Sequence, residues 1–109
     1  KIKLICLAGF MKILSKDFIN SFKGKILNIH PSLLPKYKGL NTHKRVILNK
    51  EKYSGCTVHF VNSKLDSGKI ILQRKVKVSK SDTAKSLSEK ILIQEHKLYP
   101  KAIQKIFSL

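Results

Sequence analysis

Cysteine is scarce in this 109-residue chain, and the scarcity excludes two classes of protein. Cys6 and Cys56 both lie in apolar, strand-like runs, outside any loop framework and away from metal-ligand spacing, so neither a disulfide-stapled scaffold nor a zinc module is expected. Both are read as buried free thiols, and no metal is expected. Long apolar runs are also missing. No stretch is long enough to span a bilayer, and the N-terminus has no extended apolar core with a small-residue cleavage site, so no membrane partner is expected and the location is read as cytoplasmic. Internal repeats, low-complexity tracts and linkers are absent too. With 42% hydrophobic residues, the chain has the makings of at most one domain with a modest core.

Acidic residues are few: six, against 23 lysines and arginines, a formal charge of +17. Such an excess first suggests nucleic acid, because lysines neutralise phosphates whatever the base sequence. Arginine, however, is nearly absent: Arg45 and Arg74 are the only two. Readers of base edges and phosphates lean on the guanidinium fork, and here the lysines are spread along the whole chain. The charge is therefore read as a solvated lysine coat that draws in small anionic substrates, with a basic nucleic-acid-binding module as the alternative from another class.

What the chain does have is one informative stretch, Ile26 to His43, ILNIHPSLLPKYKGLNTH. Asn28 and His30 stand two residues apart in an apolar run that Pro31 ends. In a strand, positions i and i+2 share a face, so the amide and the imidazole project side by side from the strand's carboxyl end. Asparagine is depleted in strands and needs either a partner or a purpose there. A satisfied buried amide beside a core histidine is the structural alternative, evenly balanced against a site. Pro31, Pro35 and Gly39 fix the course of the following loop, which leads to a helix start at Thr42. Open α/β sheets build ligand sites in this way, at the carboxyl ends of strands.

The remaining chain reads as elements around that stretch. Lys3 to Ala8 is a buried parallel strand, and Gly9 to Leu14 a loop leading to a short helix capped by Ser15, running through Phe22 and closed by Gly24. That the chain opens directly on a buried strand suggests that residues precede it. Lys25 to His30 is the second strand, His43 to Leu48 a short helix, Lys50 to Gly55 a polar turn, and Cys56 to Val61 a third strand. Asp66 lies in the turn that follows, Asn62 to Lys69. It is either a turn-forming carboxylate or a group brought up to His30 to hold its tautomer and raise its pKa, and spacing does not decide between them. Ile70 to Val78 passes from a continuous apolar run to strict alternation, as in a strand reaching a sheet edge guarded by lysines. Asp82 is expected to cap a helix from Thr83 whose buried face carries Leu87, Ile91, Leu92 and Leu98, with Pro100 kinking or restarting it before Ala102 to Phe107. Glu95 and His96 read, on their own, as a solvated helix face.

In this order and at these spacings, the blocks LAGFMKILS, the His30 stretch, GCTVHFV, LDSGKIILQ and QEHKLYP resemble the folate-dependent formyltransferases. KYKGLNTH and QEHKLYP look most like the branch acting on glycinamide ribonucleotide in purine synthesis. The resemblance implies an open, mostly parallel α/β sheet with flanking helices, of which residues 1–109 are the C-terminal portion of a single domain. The N-terminal strands and their phosphate-gripping loop have no counterpart here, so the portion alone is expected to be inactive. It implies formyl transfer from 10-formyltetrahydrofolate to the amine of glycinamide ribonucleotide, with Asn28, His30 and Asp66 as the catalytic trio. Met11, Lys12, Ile13 and Leu14, together with Asn28, Val61 and Leu65, would line the folate pocket. Glu95 would meet the nucleotide's ribose, and His59 would be structural support. A relative that hydrolyses the same folate is the nearer alternative. The resemblance does not give the oligomeric state.

Overall fold

A computed structural model of the chain describes residues 4–8, 16–22, 24–62 and 67–107. Four strands and three helices follow one another: β1 (Leu4–Ala8), α1 (Lys16–Ser21), β2 (Lys25–His30), α2 (Thr42–Leu48), β3 (Tyr53–Phe60), β4 (Ile70–Lys77) and α3 (Ala84–Phe107). The strands form one open sheet in the order β1-β2-β3-β4. β1 and β2 run parallel, joined through α1, whereas β2–β3 and β3–β4 are antiparallel. The open α/β class is as expected, with a mixed sheet over the described strands.

One face of this sheet makes the core. Leu27 and Ile29 of β2 and Cys56 and Val58 of β3 are buried on it, and Leu72 and Val76 of β4 pack beside them. α3 lies across that face. Its buried positions Leu87, Ile91, Leu98 and Ala102 recur at helical spacing, while Leu92, read as part of the same stripe, is 47% exposed and turned to solvent. The four fully covered α3 side chains contribute roughly 1.5–3 kcal/mol for each large aliphatic group removed from water.

Several boundaries differ from the sequence reading, each for a physical reason. β3 begins at Tyr53, not Cys56, because Tyr53, Ser54 and Gly55 pair with Lys77, Val76 and Lys75; cross-strand bonding overrides the polar, turn-like composition. The cap of α3 is Thr83 and not Asp82. Thr83 Oγ1 accepts the Ser86 N–H at 3.1 Å and Ser86 Oγ accepts the Thr83 N–H at 2.9 Å, a reciprocal capping box. α3 also runs unbroken through Pro100, which is exposed, so the carbonyl whose partner the proline removes lies on the side open to water. Cys56 is buried and free as expected; Cys6, on β1 at one end of the described strand order, is free but exposed.

Asp82 instead clamps the loop before α3. Its carboxylate accepts from the Lys90 ammonium at 2.6 Å, the Ser79 backbone N–H at 2.8 Å and the Ser86 hydroxyl at 2.7 Å. The Lys90 bond foremost, then those from Ser79 and Ser86, hold its pKa down to about 2. A carboxylate depressed in the folded state stabilises fully above its unfolded value, near about 4, and loses that contribution as pH falls toward about 2. Asp82→Asn is therefore expected to unfold at lower urea than the parent at pH 7, with the gap closing as the pH is lowered through this window. A gap that is constant from pH 7 to 2 would contradict the assignment.

The end of α2 carries a second testable detail. The Lys50 N–H meets the Ile47 carbonyl at 3.1 Å and the Glu51 N–H meets the Val46 carbonyl at 3.2 Å, the paired bonds of a Schellman close. Lys50 takes the left-handed position with φ 53°, a conformation that glycine adopts without steric cost. Lys50→Gly is expected to raise stability by about 1 kcal/mol, read as a shift in urea midpoint.

Candidate functional site

The side chains on the other face of the sheet differ in kind. Ile26, Asn28 and His30 alternate with the core residues of β2 and so point away from α3. Across the ladder, Asn28 pairs with His59, His30 with Thr57, and Thr57 with Gln73. A row of polar groups thus crosses the sheet, and Asn28, His30, Thr57 and His59 are all buried. Burying polar groups costs free energy unless their bonds are replaced, and the loop after β2 replaces many of them. Thr57 Oγ1 donates to the Ser32 carbonyl at 2.7 Å and accepts from the Leu34 N–H at 3.1 Å and Gln73 Nε2 at 3.0 Å. Ser32 Oγ donates to the Lys36 carbonyl at 2.6 Å, and Gln73 Nε2 also reaches the Leu34 carbonyl at 2.8 Å. The stiff loop read from the prolines is therefore a strap tied across the polar face.

That strap returns to His30. Gly39 (φ 84°), Tyr37 (φ 56°) and Asn41 (φ 57°) adopt left-handed backbone, and the Tyr37 carbonyl lies 2.8 Å from His30 Nε2. A carbonyl only accepts, so Nε2 carries a hydrogen and the ring is held in one orientation. Nδ1 is then the nitrogen that exchanges a proton. Arg45 latches the strap from α2, giving Nη2 to the Lys38 carbonyl at 2.6 Å and Nε to the Leu40 carbonyl at 3.0 Å, with its guanidinium over the Tyr37 ring.

Asn28 stands out for what it does not do. Its Oδ1 is buried and has no hydrogen-bond partner among the described residues, an unpaired acceptor that a ligand's N–H would satisfy. His43, in the first turn of α2, also enters the site. Burial first, and the neighbouring His30 second, push its pKa below the ordinary histidine value. Both causes disfavour the charged form of that ring.

The predicted residues divide clearly. Asn28 and His30 are brought together, and His59 lies beside Asn28 with its Nδ1–H donating to the Phe60 carbonyl at 2.9 Å. Val61 donates its N–H to the Ile26 carbonyl at 2.9 Å and, with Ile26, lines a cleft of about 320 Å³; Ile26 shares the face of Asn28. Glu95 is on α3, against the opposite face, near enough to Cys56 that its charge and burial raise that thiol to about 12, burial being the larger cause. The Glu95 carboxyl is itself raised by burial. Met11, Lys12, Ile13, Leu14, Leu65 and Asp66 lie outside the described residues. Sequence reasoning missed the Tyr37 carbonyl and His43. His43 closes the informative stretch and was visible as a third polar ring, but nothing in the sequence marked the positive φ at Tyr37.

An open α/β sheet with an amide and an oriented imidazole at the end of a parallel strand defines a small-molecule site of the strand-end class. Comparison narrows the class: the chain belongs to the formyl transferase family, whose profile matches residues 1–103. It is 50% identical over 103 residues to phosphoribosylglycinamide formyltransferase of Haemophilus influenzae, covering 94% of this chain and 49% of that protein. It is likewise 50% identical over 107 residues to the human trifunctional purine biosynthetic protein adenosine-3, covering 98% of this chain and 11% of that one. The crystal structure of phosphoribosylglycinamide formyltransferase from Anaplasma phagocytophilum superimposes with a TM-score of 0.90 at 48% identity, over 96% of this chain and 50% of that one. The chain thus spans about half the length of the single-function relatives and about a tenth of the trifunctional ones.

Proposed function

We propose that this chain carries the formyl-transferring portion of a phosphoribosylglycinamide formyltransferase, moving a formyl group from 10-formyltetrahydrofolate to the amine of glycinamide ribonucleotide in purine synthesis. The observation that carries the reading is the Asn28–His30 pair. The two side chains are buried on one face at the end of β2, the imidazole is oriented by the Tyr37 carbonyl, and the amide oxygen lacks a partner among the described residues.

Each group has a task in that reaction. As the amine attacks the formyl carbon, negative charge grows on the formyl oxygen, and a preorganised donor there lowers the barrier most. Asn28 Nδ2 supplies one donor, while its Oδ1 accepts an N–H of the attacking amine and turns the nitrogen lone pair toward the carbon. Protonated His30 adds a second charge-stabilising donor through Nδ1–H and then protonates the departing folate nitrogen as general acid. Asp66 is assigned the carboxylate role of stabilising the imidazolium and relaying the proton lost by the amine. The cleft at Ile26 and Val61 suits part of the folate, with Met11 to Leu14 and Leu65 assigned to its remaining wall. Glu95 is assigned to the ribose. Hydroxyl donors there would resolvate its half-buried carboxyl.

The test measures acceptor dependence. The chain itself, and a hybrid in which it replaces the matching half of the Haemophilus influenzae relative, are incubated with 10-formyltetrahydrofolate with and without glycinamide ribonucleotide. Formylated nucleotide formed by the hybrid supports the reading. Formate released without an acceptor would replace it with hydrolysis.

A further inference from the structure

Four of the lysines spread along the chain meet at one place that the proposed reaction does not use. Beside the strap, the turn after α2 and the start of β3 enclose a cleft of about 350 Å³ lined by Lys36, Lys50, Lys52 and Lys75, with Tyr37 and Tyr53. Glu51 is the one carboxylate on its wall, and its Oε2 accepts the Tyr37 hydroxyl at 2.6 Å. None of the four ammonium groups makes an ion pair among the described residues. The Lys75 ammonium is held 4.4 Å over the centre of the Tyr53 ring.

Four like charges around one concavity repel one another, and the focused positive potential favours a small anion of high charge over a single carboxylate. Lysine serves phosphate well as a point charge. A cleft of this size takes a compact ligand and not a length of polymer. We propose that this cleft is a second ligand site, binding a polyphosphate group, either as the free inorganic anion or as the triphosphate of a nucleotide. The Tyr37 ring lines it while the Tyr37 carbonyl holds His30, so the two sites are neighbours on one strap.

Calorimetric titration of the chain with inorganic tripolyphosphate, and separately with ATP, tests the proposal at about 0.1 M salt, where scattered surface attraction is screened beyond about 10 Å. Saturable one-to-one binding is expected. Lys52→Gln/Lys75→Gln is expected to weaken it by about tenfold or more, equivalent to about 1.4 kcal/mol. Lys97→Gln/Lys101→Gln removes the same charge from the exposed side of α3 and is expected to change affinity by less than about twofold. Equal affinity for the two ligands assigns the site to the polyphosphate alone. Tighter binding of ATP, lost in Tyr53→Leu, assigns it to a nucleotide. Equal weakening by both lysine pairs, uptake that does not saturate, or no heat at all would overturn the site.

Discussion

Asn28→Leu is expected to leave the protein as stable as the parent or about 1 kcal/mol more stable, and to slow formyl transfer in the hybrid by about 100- to 1,000-fold. The two halves of this result have one cause. Asn28 is 3% exposed and its Oδ1 has no partner among the described residues, which bear the desolvation of an acceptor without the bond that would offset it. Leucine is of similar bulk and has nothing to desolvate. The neighbours His59 and Leu7 pair with Asn28 through the backbone ladder, which the substitution leaves intact. In the proposed reaction the same amide becomes useful when charge appears on the formyl oxygen, and losing such a donor falls mainly on kcat. A variant destabilised by more than about 1 kcal/mol would show that the amide is a satisfied structural group; unchanged transfer would remove it from the chemistry.

Gly55→Ala has the largest expected effect on stability, a loss of about 3 kcal/mol or more by urea titration. Gly55 lies within β3 opposite Lys75. A Cβ there would overlap the Arg74 carbonyl oxygen of β4 and approach Leu33 Cδ2 within 2.7 Å. The leucine could move, but the carbonyl belongs to the β4 backbone, paired with β3 on both sides of it. Relief therefore means parting the two strands or lifting the strap that begins at Pro31, and lifting the strap shifts the Tyr37 carbonyl from His30. Stability and site orientation are thus coupled at one backbone contact. A loss below about 1 kcal/mol would mean that the strands separate more easily than the packing implies.

These two residues also mark how far the sequence could be read. Asn28 and His30 were legible because a period of two, an out-of-place asparagine and a proline stop all fall within six residues of β2, where strand geometry alone puts both on one face. The start of β4 was legible from the apolar run that opens at Ile70. Gly55 was read as a turn residue because its neighbours are polar; its place in a strand depends on Lys75 and Leu33, which only the folded chain brings to it. The Tyr37 carbonyl, a backbone group, has no signature in side-chain chemistry. Glu95, read as a ribose contact, came from resemblance and not from pattern; it lies on α3, across the sheet from Asn28 and His30. Leu92 missed its face because a helix stripe read without its partner leaves room for a neighbouring position to be included.

The central claim is that His30 moves the proton that lets the formyl group leave the folate. The most direct measurement is single-turnover transfer of labelled formyl to glycinamide ribonucleotide by the hybrid and by its His30→Ala variant, with folate binding measured alongside. The account predicts a rate lower by about 1,000-fold or more in the variant with folate affinity within a few-fold of the parent. Transfer at the parental rate without the imidazole would contradict it.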